Sequence, residues 1–283
     1  MPRVRGDRGE DAMTRTQGRV LIIAGSDSGG GAGVQGDIKT VTCLGGYAMT
    51  AISALTAQNT RGVRAIFDIP AAFVGEQMRA CLEDIGADAV KIGMLHKKET
   101  IDVVCDILAE TCPRTPLVVD PVMVAKGGQS LLDPEALATL KSRLLPRATV
   151  LTPNIPEAEA LSGIAIGGDS DLAAAALILE KQGAKAVLIK GGHRDVDPVV
   201  DVLWSGGRVA ATFSGARIDT PHTHGTGCAL ASAIACSLAQ GMTLEDAAER
   251  AHAYVRGAIE SAPGLGRGHG PLNHGHPCAP FDA

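Results

Sequence analysis

Hydrophobic positions along this chain fall into short unbroken runs separated by longer stretches that repeat every three to four residues. Residues 19–25 (Arg-Val-Leu-Ile-Ile-Ala-Gly) form the first such run, β-branched in its centre and closed by glycine, the pattern of a strand buried on both faces. Further runs occupy residues 50–57, 89–92, 117–119, 150–151 and 186–189. The periodic stretches between them predict helices over residues 34–44, 71–85, 99–110, 134–145 and 171–182. Residues 199–204 and 208–213, joined by Ser205-Gly206-Gly207, read as a hairpin. Two closing helices follow over residues 227–240 and 244–262, the second carrying a capping pattern at Thr243 and Asp246. Strand alternating with helix predicts an α/β fold with a mostly parallel central sheet covered on both faces. No internal repeat or linker interrupts residues 19–283, which read as one domain behind a charged, disordered extension over residues 1–18. The Gly/His/Pro-rich tail over residues 263–283 either closes over a site or frays.

Composition narrows the partners. With 283 residues and 45% hydrophobic content the chain can bury a large core, and a net charge of −5 without a basic stripe argues against nucleic acid. No apolar run is long enough to span a bilayer, so the expectation is a cytoplasmic protein that acts on a small molecule. The seven cysteines include no C-x-x-C pair and no zinc spacing, and most read as reduced core residues.

Candidate chemistry gathers at the predicted strand ends. Thr220-Pro-His-Thr-His-Gly-Thr-Gly-Cys228 places a thiol behind a Gly-Thr-Gly turn that opens an Ala-rich helix. The helix start offers outward N–H groups and a positive dipole end, so Gly225, Thr226, Gly227 and Cys228 read as an anion hole, with the Cys228 pKa expected below that of a free thiol. An ordinary helix start with a small core cysteine is the competing explanation. Gly31-Ala-Gly33-Val-Gln-Gly36 matches a dinucleotide fingerprint, but no Asp or Glu occurs between Ile38 and Phe67, where the ribose-binding acid belongs. Asp37 lies at a helix start, as a cap or a functional carboxylate. Gln58-Asn59 closes a strand, either as a turn or as an amide that reads a heterocycle edge. Asp120-Pro121 follows a strand, with Lys126-Gly127-Gly128 beyond it. Thr152-Pro-Asn-Ile-Pro-Glu157 sets Asn154 and Glu157 three apart; such oxygens suit Mg²⁺, and the same spacing is a capping box. Lys190-Gly191-Gly192-His193 supplies a cation. Five polar clusters on one sheet edge favour phosphoryl transfer, in which positioning and charge stabilisation do the chemistry.

These residues carry a resemblance. Residues 24–37, Lys91-Ile-Gly-Met-Leu95, Asp120-Pro-Val-Met123, Thr152–Glu157, Lys190–His193 and Thr223–Cys228 resemble the hydroxymethylpyrimidine/phosphomethylpyrimidine kinases of thiamine biosynthesis, over about Val20 to His274. The resemblance implies a three-layer α/β/α ribokinase-like fold, a homodimer, ATP with Mg²⁺, and phosphorylation of 4-amino-5-hydroxymethyl-2-methylpyrimidine and then of its monophosphate. It implies that Gly25, Asp37, Gln58 and Met94 line the pyrimidine pocket and that Asp120, Asn154 and Glu157 organise Mg²⁺. Lys190, Asn154 and Thr226 would hold the nucleotide, and Gly225–Cys228 would form the anion hole, with Cys228 as the base for the alcohol. Pyridoxal kinases of the same superfamily are the competing resemblance. The segment Gly266-Arg-Gly-His-Gly-Pro271 departs from the family's usual Gly-Lys-Gly-Ile-Gly-Pro type.

Overall fold

The computed structural model describes residues 17–124, 131–193 and 197–279. The extension before residue 17 and the Lys126-Gly127-Gly128 segment lie outside the described residues.

Among the described residues, nine strands form one sheet: β1 (Arg19–Asp27), β2 (Tyr47–Asn59), β3 (Gly62–Asp68), β4 (Ala89–Ile92), β5 (Leu117–Val119), β6 (Val150–Leu151), β7 (Ala186–Ile189), β8 (Val199–Ser205) and β9 (Arg208–Gly215), in the order β3-β2-β1-β4-β5-β6-β7-β8-β9. The six strands from β2 through β7 in that order pair in parallel, while β3, β8 and β9 add antiparallel edges. The hairpin was legible; β3 is an addition, an edge strand too exposed to show an apolar face.

Eight α-helices among the described residues cover the sheet: α1 (Gly33–Cys43), α2 (Ala71–Asp84), α3 (Lys98–Thr111), α4 (Pro134–Thr139), α5 (Ile155–Ser162), α6 (Asp169–Lys181), α7 (Thr226–Ala239) and α8 (Leu244–Glu260). The expected helix over 134–145 is broken: α4 ends at Thr139, and a wider turn over Leu140–Leu144 and a tighter one over Leu145–Arg147 complete the segment. Pro146 lacks the N–H that a continued helix needs.

Alternate residues of β1 point to opposite layers. Leu21 and Ile23 join the core under α2, α3, α5 and α6, while Val20, Ile22 and Ala24 join the core under α1, α7 and α8. Apolar surface on both faces explains why β1 reads as an unbroken apolar run rather than an alternating one. From β1 the chain passes to β2 on one side and later to β4 on the other, so the loops after β1 and β4 meet at a switch point, where open α/β sheets bind ligands. No helix among the described residues is long and apolar enough to cross a membrane.

Candidate active site

The glycine loop after β1 is organised by a residue that sequence reasoning missed. Asp27 accepts the N–H groups of Gly29 (2.8 Å), Gly31 (3.1 Å) and Ala32 (2.9 Å), folding residues 28–32 around its carboxylate. His224 Nε2 lies 2.8 Å from Asp27 Oδ2 and ties this loop to the turn before α7. Burial alone would raise the Asp27 pKa, but His224 and the backbone N–H groups outweigh it and hold the carboxyl below its ordinary value. The two segments touch so closely that a Cβ on Gly225 would overlap the Gly31 carbonyl oxygen, and Gly225 has φ +90°. Only glycine meets both demands.

At the start of α7, Gly225 is the N-cap, no acidic side chain stands in the first turn, and the Thr226 hydroxyl donates to the Thr223 carbonyl at 2.8 Å. Thr226 is therefore committed to its own turn. Lys190 Nζ lies 3.0 Å from the Cβ position of Gly227, 2.9 Å from Asp120 Oδ1 and 4.0 Å from Glu157 Oε2. A lysine beside a positive helix end is favourable only if negative charge answers both, and here Asp120 and Glu157 partly do. Burial would lower the Lys190 pKa, yet these carboxylates raise it, while burial raises that of Glu157.

Asn154 and Glu157 form the capping box that the spacing also allowed: Asn154 Oδ1 accepts the Glu157 N–H and Glu157 Oε2 accepts the Asn154 N–H, each at 2.9 Å. Asn154 thus caps α5, and Asp120 and Glu157 remain as the carboxylates facing a cation. No cluster of three or more metal-binding His, Cys, Asp or Glu groups occurs among the described residues. A hard ion that keeps waters and phosphate ligands needs only one or two carboxylates, so this pair fits Mg²⁺.

Asp37, expected against the pyrimidine, is held in an ion pair inside the protein. It is fully buried, with Oδ2 2.7 Å from Lys91 Nζ and Oδ1 accepting from the Ser232 hydroxyl at 2.7 Å. Its position at a helix start hid a partner on β4, since Lys91 lies within the apolar run Ala89–Ile92 and is itself fully buried. Burial would lower the Lys91 pKa, but Asp37, Cys228 and Asp120 raise it above the ordinary value. The expectation of an acidic Cys228 thiol is corrected: burial pushes its pKa up to about 12, with Asp37 and Asp120 adding to the rise and Lys91 and the Gly33 N–H opposing it. The helix-terminus effect does not win against desolvation and two nearby carboxylates.

Gly25 and Met94 do meet, the Met94 methyl lying 2.5 Å from where a Gly25 Cβ would be. Gln58 stands at the end of β2, half-buried, with its amide 3.4 Å from His224 Nε2. The tail closes rather than frays over its described part: the N–H groups of Arg267 and His269 bond to the Thr60 hydroxyl (3.2 Å) and carbonyl (2.8 Å), and the His224 N–H bonds to the Gly270 carbonyl at 3.1 Å. The Gln58–Thr60 segment, the glycine loop and the 222–224 turn are therefore roofed by residues 266–271. The sign that could have revealed Asp27 and His224 was their adjacency to the two glycine turns; Lys91 was visible as a lone charge in a buried strand.

Known proteins match this arrangement. A family model described as phosphomethylpyrimidine kinase matches residues 27–273. The chain is 52% identical to the thiamine biosynthesis bifunctional protein ThiED of Geobacter sulfurreducens over 91% of its own length and about half (52%) of that protein. It is 48% identical to the hydroxymethylpyrimidine/phosphomethylpyrimidine kinase of Haemophilus influenzae, covering 90% of this chain and 96% of that one. Among solved structures it is similar to a phosphomethylpyrimidine kinase from Clostridium difficile (41% identity, TM-score 0.75, 85% and 99% of the two chains). It is also similar to an ADP complex of Bacillus subtilis pyridoxal kinase (34% identity, TM-score 0.84, 92% and 98%). The α/β architecture, the strand-edge site and these matches agree: the chain belongs to the phosphomethylpyrimidine kinase family of phosphotransferases.

Proposed function

We propose that this enzyme transfers the γ-phosphoryl group of ATP first to the hydroxymethyl group of 4-amino-5-hydroxymethyl-2-methylpyrimidine and then to the resulting monophosphate, giving the diphosphate. The observation that carries the reading is the corner where Lys190 meets the acid-free N-terminus of α7 at Gly227, beside the Asp120 and Glu157 carboxylates. Lys190 and the N–H groups of Gly225 to Cys228 would stabilise charge that develops on the transferred group. Asp120 and Glu157 would hold Mg²⁺, which when bound neutralises phosphate charge. Gln58, Gly25 and Met94 would receive the pyrimidine, the amide supplying a donor and an acceptor together. The proposal includes a cytoplasmic homodimer; the exposed cross-strand pair Leu55 and Phe67, with Phe73 nearby in sequence, offers apolar surface for a second copy. Sedimentation equilibrium tests that part.

The likeness to pyridoxal kinases supports a second reading, a vitamin B6 kinase. ADP release from Mg-ATP with each substrate separates the two. Turnover of the hydroxymethylpyrimidine and its monophosphate is expected; turnover of pyridoxine alone would overturn the proposal.

A further inference from the structure

From Gly29 to Gly33, each N–H of the glycine loop has a partner inside the protein. Gly29 donates to Asp27 Oδ1 (2.8 Å), Gly30 to the Asp27 carbonyl (2.9 Å), Gly31 and Ala32 to Asp27 Oδ2 (3.1 and 2.9 Å), and Gly33 to the Cys228 sulfur. A loop that cradles phosphate turns such groups around the bound anion. Here the Asp27 carboxylate fills that place, and its charge would repel a second anion. The loop serves instead as a template for the turn it touches. Its Gly31 carbonyl packs on Gly225, the N-cap of α7. Asp27 Oδ2 accepts two N–H groups as an ionised oxygen does, so the proton shared with His224 Nε2, 2.8 Å away, belongs to the imidazole and is given to Asp27. The ring stands where a Gly31 side chain would be, a Cβ there lying 2.6 Å from His224 Cδ2. His224 directly precedes Gly225, so fixing its ring fixes the direction of the first N–H groups of α7.

We propose that Asp27 and His224 are positioning residues for phosphoryl transfer: their hydrogen bond fastens the glycine loop to the start of α7 and holds the N–H groups of Gly225 to Cys228 where the transferred group passes. This rests on the reading that the start of α7 receives that group. The pair acts through the backbone, and both phosphorylations use the same anion hole. Loosening it therefore slows the two alike, whereas loss of the Cys228 base slows the first. A misplacement of about 1 Å costs up to about 100-fold in rate, so one lost tether is expected to cost somewhat less.

The test compares two amides at position 224 of the full-length enzyme, in single-turnover reactions with Mg-ATP and each pyrimidine substrate. In His224→Gln the side-chain N–H reaches about as far as Nε2; in His224→Asn the same amide stops a bond short of Asp27. His224→Gln should stay within about threefold of wild type on both substrates. His224→Asn should slow both by about 30-fold, while the half-saturating concentrations of ATP and of the hydroxymethylpyrimidine move less than about twofold. His224→Leu, similar in size and without a donor, should match His224→Asn and stands in for it if that variant does not fold. Equal losses in His224→Gln and His224→Asn, a loss on one substrate alone, or a raised half-saturating concentration at an unchanged rate would each overturn the positioning role. Failure of the wild-type enzyme to phosphorylate either pyrimidine would overturn the functional reading beneath it, and the proposal with it.

Discussion

Replacing Cys228 with alanine should affect the two phosphorylations unequally, and pH should expose why. The thiol is pushed up to about 12 by burial and by the Asp37 and Asp120 carboxylates. At pH 7 the thiolate fraction is then about 10⁻⁵, against a few per cent for a free thiol near 8.5. If Cys228 takes the proton of the attacking alcohol as a thiolate, the first reaction should accelerate about tenfold per pH unit, or about 100-fold between pH 7 and pH 9. The second reaction uses a phosphate oxygen whose second pKa is near about 6, already ionised and in no need of a base. Its rate should be flat over the same interval. Single-turnover rates for each substrate, wild type against Cys228→Ala, measure this directly. Expected are a steep profile for the wild-type alcohol reaction, its flattening in the variant, and a second reaction within about threefold of wild type. A flat wild-type profile together with equal losses on both substrates would refute the base assignment and leave the thiol a packing or positioning role.

Three further outcomes follow from the geometry. Lys91→Met leaves the Asp37 carboxylate buried without its cation and should cost about 3–5 kcal/mol, or about 6–10 °C in Tm. Lys91→Met combined with Asp37→Leu and Ser232→Ala should recover most of that in calorimetry, and no recovery would mean that the ion pair is not the source of the loss. Gly225→Ala forces a side chain into the Gly31 carbonyl at φ +90°, so kcat/KM should fall about 100-fold by displacing the anion hole, while circular dichroism stays native. Burial lowers the His274 pKa from 6.5 to about 4, so the unfolded chain binds a proton first as pH falls. Stability that is fully present above pH 6.5 should therefore decline by about 3 kcal/mol on approaching pH 4. Urea melts should show that decline, and His274→Leu should be less acid-sensitive; an identical decline in the variant would place the effect elsewhere.

Much of the fold was legible because its central strands are buried on both faces and bounded by turn residues. Ala89–Ile92, Leu117–Val119, Val150–Leu151 and Ala186–Ile189 stand where their apolar runs begin and end. The missed strand Gly62–Asp68 has no fully buried residue to mark it. In the same way, Lys190, Asp120 and Glu157 could be expected near one another because each follows a parallel strand, and parallel strands deliver their ends to one edge. Asn154 and Glu157 satisfied a local rule that needed no long-range contact, and the capping box is what formed.

Side-chain pairing across long stretches of chain was not legible. Asp37 looked like a residue facing a ligand until β4 supplied Lys91 and α7 supplied Ser232, and Asp27 gave no sign of His224 at nearly the far end of the chain. Cys228 was expected to be acidic from its place at a helix start, yet its ionisation depends on surrounding charge and lost water. The sequence by itself determined the α/β order, the glycine turns and the set of polar groups brought to the sheet edge, because these follow from local periodicity and chain connectivity. Only the tertiary structure decided which carboxylate neutralises which cation and whether the thiol holds its proton, because desolvation and pairing are properties of the packed neighbourhood rather than of any segment.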